Sequence, residues 1–159
     1  MDVFSRTFLP AAAEAGIAIP TVSRHMPIFR RCVESDDATV LVTRCLRAEA
    51  PLRGDFLLLL TQRRLVVTQE TRVLHRLRLH LNADLRHLSN VTWNPDTRDS
   101  SVEVSATAVD GVRERFRMRL ARPEQVWHVD ALFKQVFTER RRTAPPAAGP
   151  STARRALAA

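Results

Sequence analysis

Apolar and polar positions along this chain change period several times, and those changes divide it into elements. From Ala38 to Leu46, Val40 and Val42 alternate with Leu41 and Thr43, which predicts a first strand. Asp55 to Leu60 and Leu65 to Thr68 follow, separated by Thr61-Gln62-Arg63-Arg64. The unbroken run Phe56-Leu57-Leu58-Leu59-Leu60 suits a strand covered on both faces. Val73, His75, Leu77, Leu79 and Leu81 then alternate with Arg76, Arg78 and His80, so the latter three are expected to share an outer face. Leu88 to Trp93 reads as a further strand, ended by the turn signal Asn94-Pro95-Asp96.

Ser101 to Leu120 carries a register argument. A two-residue turn at Asp110-Gly111 would set Val104 against Arg117 and place arginines on the apolar face. A three-residue loop, Val109-Asp110-Gly111, sets Val104 against Phe116, Val102 against Met118 and Glu103 against Arg117. Gly111 then takes the left-handed position of the bulge that such loops use. From Pro123-Glu124 onward, Val126, Val129, Phe133, Val136 and Phe137 recur at helical spacing, with Trp127 and Leu132 broadening the stripe.

The expected core therefore contains Phe56, Leu58, Leu65, Val67, Leu77, Val104, Phe116, Leu132 and Phe133, with both tryptophans packed into it. Three parts follow. Residues 1–35 are an N-terminal extension, partly helical, with a turn over Ala11–Ala15 and a short helix bearing Met26, Phe29, Cys32 and Val33 on one side, read as a strap over the core. Residues 36–137 are a mainly β domain, a bent antiparallel sheet or partly open barrel of about seven strands capped by one C-terminal helix. Residues 138–159, rich in Arg, Pro and Ala, have the composition of a disordered tail.

The local text Gly54-Asp55-Phe56-Leu57-Leu58-Leu59-Leu60-Thr61-Gln62-Arg63-Arg64-Leu65-Val66-Val67 resembles the second-to-third strand hairpin of bacterial PH-like and GRAM-like domains, and strands followed by one amphipathic helix are the order of that fold. The resemblance covers about Asp36 to Phe137. It implies a module that binds phosphoinositides, peptides or partner domains. Lipid-binding members carry basic residues in and beside the first inter-strand loop. Here that loop, about Arg47 to Gly54, offers Arg47 and Arg53 with Glu49 between them.

Charge adds one refinement. The net charge is +8 over 159 residues, but 36–137 holds 16 Lys+Arg against 13 Asp+Glu and the tail alone holds an excess of four. The domain is mildly basic, which weakens a nucleic-acid footprint. All basic residues but Lys134 are arginine. Arg113, Arg115, Arg117 and Arg119 form one outer row, and Arg76 and Arg78 belong to a second. Both are candidate contacts for an anionic partner, against the plainer reading of a solvated strand face.

Catalytic chemistry finds little support. The four glycines are scattered, so neither a phosphate-cradling loop nor a nucleophile elbow can be built. Tyrosine is absent, and the two cysteines form no zinc or redox pair. His75 and His80 differ by an odd number and should face opposite ways, which argues against a metal site. No cofactor is expected. The first reading is a non-enzymatic binding or scaffolding module engaging a protein partner, in the cytoplasm. The second is peripheral attachment to anionic membrane lipids through the arginine-rich surface and tail. Nucleic-acid binding comes third, because no aromatic platforms interleave with the arginine rows.

Overall fold

The computed structural model describes residues 1–50 and 54–143. Arg53 and residues 144–159, which hold most of the proposed disordered tail, lie outside the described residues. Two helices come first, α1 (Val3–Glu14) and α2 (Ile19–Cys32). Seven strands follow: β1 (Thr39–Arg47), β2 (Asp55–Thr61), β3 (Arg64–Glu70), β4 (Leu77–Asp84), β5 (Ser89–Asp96), β6 (Ser101–Thr107) and β7 (Arg113–Arg119). A single turn of 3-10 helix, Leu85–His87, joins β4 to β5, and α3 (Pro123–Thr143) ends the described chain.

The strands form one antiparallel sheet in the order β4-β3-β2-β1-β7-β6-β5. Consecutive strands β4 and β5 therefore lie at opposite edges, yet only the short turn over Leu85–His87 connects them. The sheet must bend until its edges approach, which makes it a partly open barrel. β1 links the two halves, pairing with β2 along its length and with β7 only through Cys45, Leu46 and Arg47.

Strand β2 shows why the bend holds. Phe56, Leu58 and Leu60 point into the barrel with Cys45, Leu65, Val67, Val104, Phe116 and Met118. Leu57 and Leu59 point the other way, into a second core with Val42 and Val66. That second core is completed by Phe4, Phe8 and Ala12 of α1, Phe29 of α2, and Val33. The rings of Phe4, Phe8 and Phe29 stand 5.3 and 5.6 Å apart in succession. Alternation on a strand sends neighbouring residues to opposite faces, so a five-residue apolar run needs two layers to cover it.

The N-terminal segment is more helical than its prolines suggest. α1 runs through Pro10 and α2 through Pro27. Each proline removes one backbone donor, and burial of Phe8 and Phe29 offsets the loss. Asp2 caps α1 by accepting from the Ser5 amide at 2.7 Å. Thr7 Oγ1 accepts from the Thr39 amide at 2.9 Å, tying α1 to the start of β1.

At the barrel's other end, Val126, Val129, Phe133 and Val136 of α3 enter the interior. Trp93 stacks on Phe133 and Phe137, with centroids 5.7 and 6.0 Å apart, and its indole N–H donates to Asp130 at 2.8 Å. Gln125 Oε1 accepts from the Ala121 and Arg122 amides at the start of α3.

The β6–β7 hairpin has the expected register, with Val104 opposite Phe116, Val102 opposite Met118 and Glu103 opposite Arg117. Its loop is Val109-Asp110-Gly111, with Gly111 at φ +81°.

Three expectations are corrected. Trp127 is 59% exposed on the outer side of α3 and is not a core residue. Leu132 is only half-buried, because it lies beside α1 at the groove where α3 leaves the barrel. On β4 a bulge opposite Val67 and Thr68 shifts the register, pairing Leu81 with Val67 but Leu79 with Thr68. Leu77 and Leu79 thereby move to the helix-covered side of the sheet, whereas His80 turns inward against Phe56 and Phe116. Arg76, Arg78 and His80 do not form one outer row with Leu77 and Leu79 inside.

Candidate functional site

The structure separates the two sets of arginines, and the difference lies in their partners. On β7, Arg115 Nη2 stands 2.6 Å from Glu103 Oε1. Arg117 Nη2 is 3.9 Å from Asp99. Arg113 donates to the Asn90 carbonyl and to the hydroxyls of Thr107 and Thr92. Arg119, at the strand's end, borders the groove between α1 and α3. Three of the four thus spend their donors on β5, β6 and the turn joining them.

The β3–β4 hairpin is different. Pairing stops at Glu70 and Leu77, and the Thr71 amide donates to the Arg76 carbonyl at 3.0 Å. Between them Arg72, Val73, Leu74 and His75 form the tip, with His75 at φ +46°. Val73 is 89% exposed and Leu74 65%. From Thr71 to Arg78 the chain has three arginines, one histidine and no acid. Among the described residues, Arg76 and Arg78 have no acid within ion-pair distance, and Arg72 has only Asp55 at 3.8 Å. Two adjacent aliphatic side chains thus project into solvent from a ring of largely unpaired positive charge. Isolated exposed apolar residues are ordinary, whereas here two adjacent ones project together within a frame of like charges.

Beside this tip, on the helix-covered side of the sheet, lies a cleft of about 200 Å³. Its floor is polar, unlike the apolar cluster of Phe4, Phe8 and Phe29 in the same layer. Buried His25, on α2, has Nδ1 2.7 Å from the Thr68 hydroxyl and Nε2 3.3 Å from Glu70. Arg24 Nε approaches Glu70 Oε1 at 3.0 Å, and His75 Nδ1 lies 3.4 Å from the same oxygen. These approaches lack hydrogen-bond alignment, so Oε1 is a buried acceptor without a formed hydrogen bond. Burial pushes the His25 imidazole below its ordinary value, outweighing the upward pull of Glu70. Burial pushes the Glu70 carboxyl up, but Arg24 and His25 overcome it and hold the group below the usual carboxylate range. Arg44 of β1, opposite Leu57, opens on the same cleft with no acid in ion-pair range among the described residues. Gly54, just before β2, has φ +112°, and a Cβ there would stand 2.8 Å from the Glu70 carbonyl oxygen.

A third polar group sits at the barrel mouth. Glu114 of β7 stands 3.2 Å from His80 Nε2 and 4.0 Å from Arg47, bringing β4 and β7 together across the opening.

Arg76 and Arg78 stand out in the sequence, but the exposure of Val73 and Leu74 does not, because the alternation of the strand runs back to Val73. The signal was present in the acid-free run Thr71–Arg78. His25, Thr68 and Glu70 had no such signal, since 43 and 45 residues separate the histidine from its partners.

No family model matches the chain, and no curated protein matches it. A solved structure described as Vav1 inhibited by an allosteric inhibitor is similar at 9% identity and a TM-score of 0.41, over 86% of this chain and 34% of that one. This chain therefore spans about a third of that structure's length. At such a score the likeness adds nothing to what the strand order already defines. That class is a seven-stranded antiparallel open sheet closed by a C-terminal helix, consistent with a PH-like fold.

Proposed function

We propose that the protein is a non-enzymatic binding module that docks reversibly on an anionic membrane surface through the tip of its β3–β4 hairpin. The observation that carries this reading is the adjacent pair Val73 and Leu74, solvent-exposed and framed by Arg72, His75, Arg76 and Arg78 with no acid in the run. The two terms need each other. Burying two aliphatic side chains contributes about 1.5–3 kcal/mol each at most, and each arginine near an anionic leaflet contributes about 1 kcal/mol. Neither term alone overcomes the lost freedom of a docked protein. Their sum gives weak, reversible attachment that depends on both lipid charge and salt.

The hairpin favours a bilayer over a protein groove because its apolar surface is a projection, and the charges around it share one sign. A membrane presents such a loop with hydrocarbon below a layer of phosphates.

Co-sedimentation with phosphatidylcholine vesicles, and with vesicles containing one-third phosphatidylserine, at low and physiological salt tests the reading. Binding to the anionic vesicles that weakens with salt, and little binding to neutral ones, is the expected result. Failure to bind anionic vesicles overturns it. In that event, capture of an acidic peptide by the same hairpin would restore the protein-partner reading, and capture of duplex DNA the nucleic-acid one.

A further inference from the structure

We infer that the cleft between α2 and the sheet binds a phosphate monoester group, held by Arg44, Arg72 and His75, with Arg24 fixed at its side by Glu70. The inference deepens the membrane reading, because it names the headgroup chemistry that the docked hairpin would meet. It stands on separate residues.

The cleft is too small for a drug-sized ligand, at about 200 Å³, and suits one compact polar group. Its charges are arranged in depth. Glu70, buried at the floor, is engaged by Arg24, whose guanidinium stands at 3.0 and 3.3 Å from its two oxygens. That contact orients Arg24 while neutralising the carboxylate. The positive groups nearer the opening are less committed. Arg44 has no acid in ion-pair range among the described residues, the Arg72–Asp55 contact is 3.8 Å long, and the His75 side chain is 73% exposed. Three arginines against Glu70 and Asp55 leave an excess of one positive charge before either histidine is protonated. A doubly charged monoester can accept from two guanidinium groups at once.

Position supplies the second argument. Arg72 and His75 line the cleft and also flank Val73 and Leu74. When the tip enters the apolar layer of a bilayer, these residues come to the depth of the phosphates. The site lies on the face of the sheet covered by α2, not in the barrel interior, so the N-terminal helices are part of it.

The test uses the full chain and two probes. The first is inorganic phosphate, titrated while the histidine ring and arginine side-chain signals are followed by NMR. The second is a pair of vesicle preparations of equal surface charge, one containing phosphatidate, a monoester, and the other phosphatidylserine, a diester. Arg44→Gln alters the cleft and spares the tip, and as an exposed substitution it should leave the melting temperature unchanged. Val73→Asp with Leu74→Asp alters the tip and spares Arg44. Wild type should bind phosphate in the millimolar range and prefer phosphatidate by at least threefold. Arg44→Gln should weaken phosphate binding at least fivefold and abolish the preference, with phosphatidylserine binding kept within twofold. Asp55→Asn, which frees Arg72, should tighten phosphate binding two- to threefold.

No phosphate binding by the wild type, or binding that Arg44→Gln leaves intact, overturns the inference. Phosphate binding without any preference for phosphatidate supports the cleft with a soluble phosphate monoester as its ligand. Failure of the proposed function looks different: wild type and the tip variant would then ignore phosphatidylserine vesicles equally, while phosphate still bound in an Arg44-dependent way.

Discussion

The β7 strand and the β3–β4 hairpin each carry a row of arginines, and they illustrate opposite uses of the same side chain. On β7 the guanidinium groups lie over a paired strand, where Glu103, Asp99 and the threonines of neighbouring strands take up their donors. On the hairpin Arg76 lies past the end of the ladder and Arg78 stands opposite Gln69, neither has an acid in ion-pair range among the described residues, and Val73 and Leu74 at the tip have nothing to cover them. A strand interior supplies partners at fixed spacing, and a hairpin tip does not. The number of arginines therefore says less about function than whether the fold leaves them partners.

The comparison can be broken from below. Both regions hang on one barrel plugged by α3, so Phe133→Ala, which empties its closed end, should cost about 3–5 kcal/mol in a denaturant titration. A loss under about 1 kcal/mol would mean that α3 does not plug the sheet, and the two surfaces would then have no common frame.

On the intact scaffold the largest difference belongs to the apolar tip. Val73→Asp with Leu74→Asp should lower partition onto anionic vesicles at least tenfold with the melting temperature unchanged, since both side chains face solvent. Unaltered partition would remove the hairpin from consideration. Next in size, Arg76→Gln with Arg78→Gln should weaken vesicle binding about three- to tenfold and flatten its salt dependence, because fewer ion contacts remain to be screened. A steep salt dependence that survives this change would point to other charges.

The matching change on β7, Arg115→Gln with Arg119→Gln, should leave vesicle binding within twofold. A larger loss would make the two rows equivalent. The smallest effect sharpens it from the other side. Glu103→Gln releases Arg115 from its 2.6 Å partner, and vesicle binding should rise by less than about twofold, most visibly at low salt. No rise at all would show that position on the molecule matters, and pairing does not.

The hairpin at Val109-Asp110-Gly111 was legible from the sequence because only one loop length keeps arginines off the apolar face. Gly111 supplies the positive φ that this loop requires. The end of the β3–β4 hairpin was not legible, since Val73, His75, Leu77 and Leu79 alternate as well as any strand does. The bulge at Leu79 and His80 breaks the parity of that alternation without marking the sequence. Trp127 misled for a related reason: it lies at the margin of a helical stripe, and only the diameter of the barrel decides which margin is buried.

The sequence by itself determined most of the local elements though not all their ends, since Asn94-Pro95-Asp96 pairs within β5 and does not turn, and it determined the facing of residues within each regular strand and the need for two covering layers at Phe56–Leu60. These follow from periods of two and 3.6 residues, which are properties of the backbone alone. Only the tertiary structure decided what forms the second layer, which arginines find acids, and that His25 reaches Thr68 and Glu70. Those outcomes depend on contacts between residues tens of positions apart, where the path of the chain, and not its local period, sets the distance.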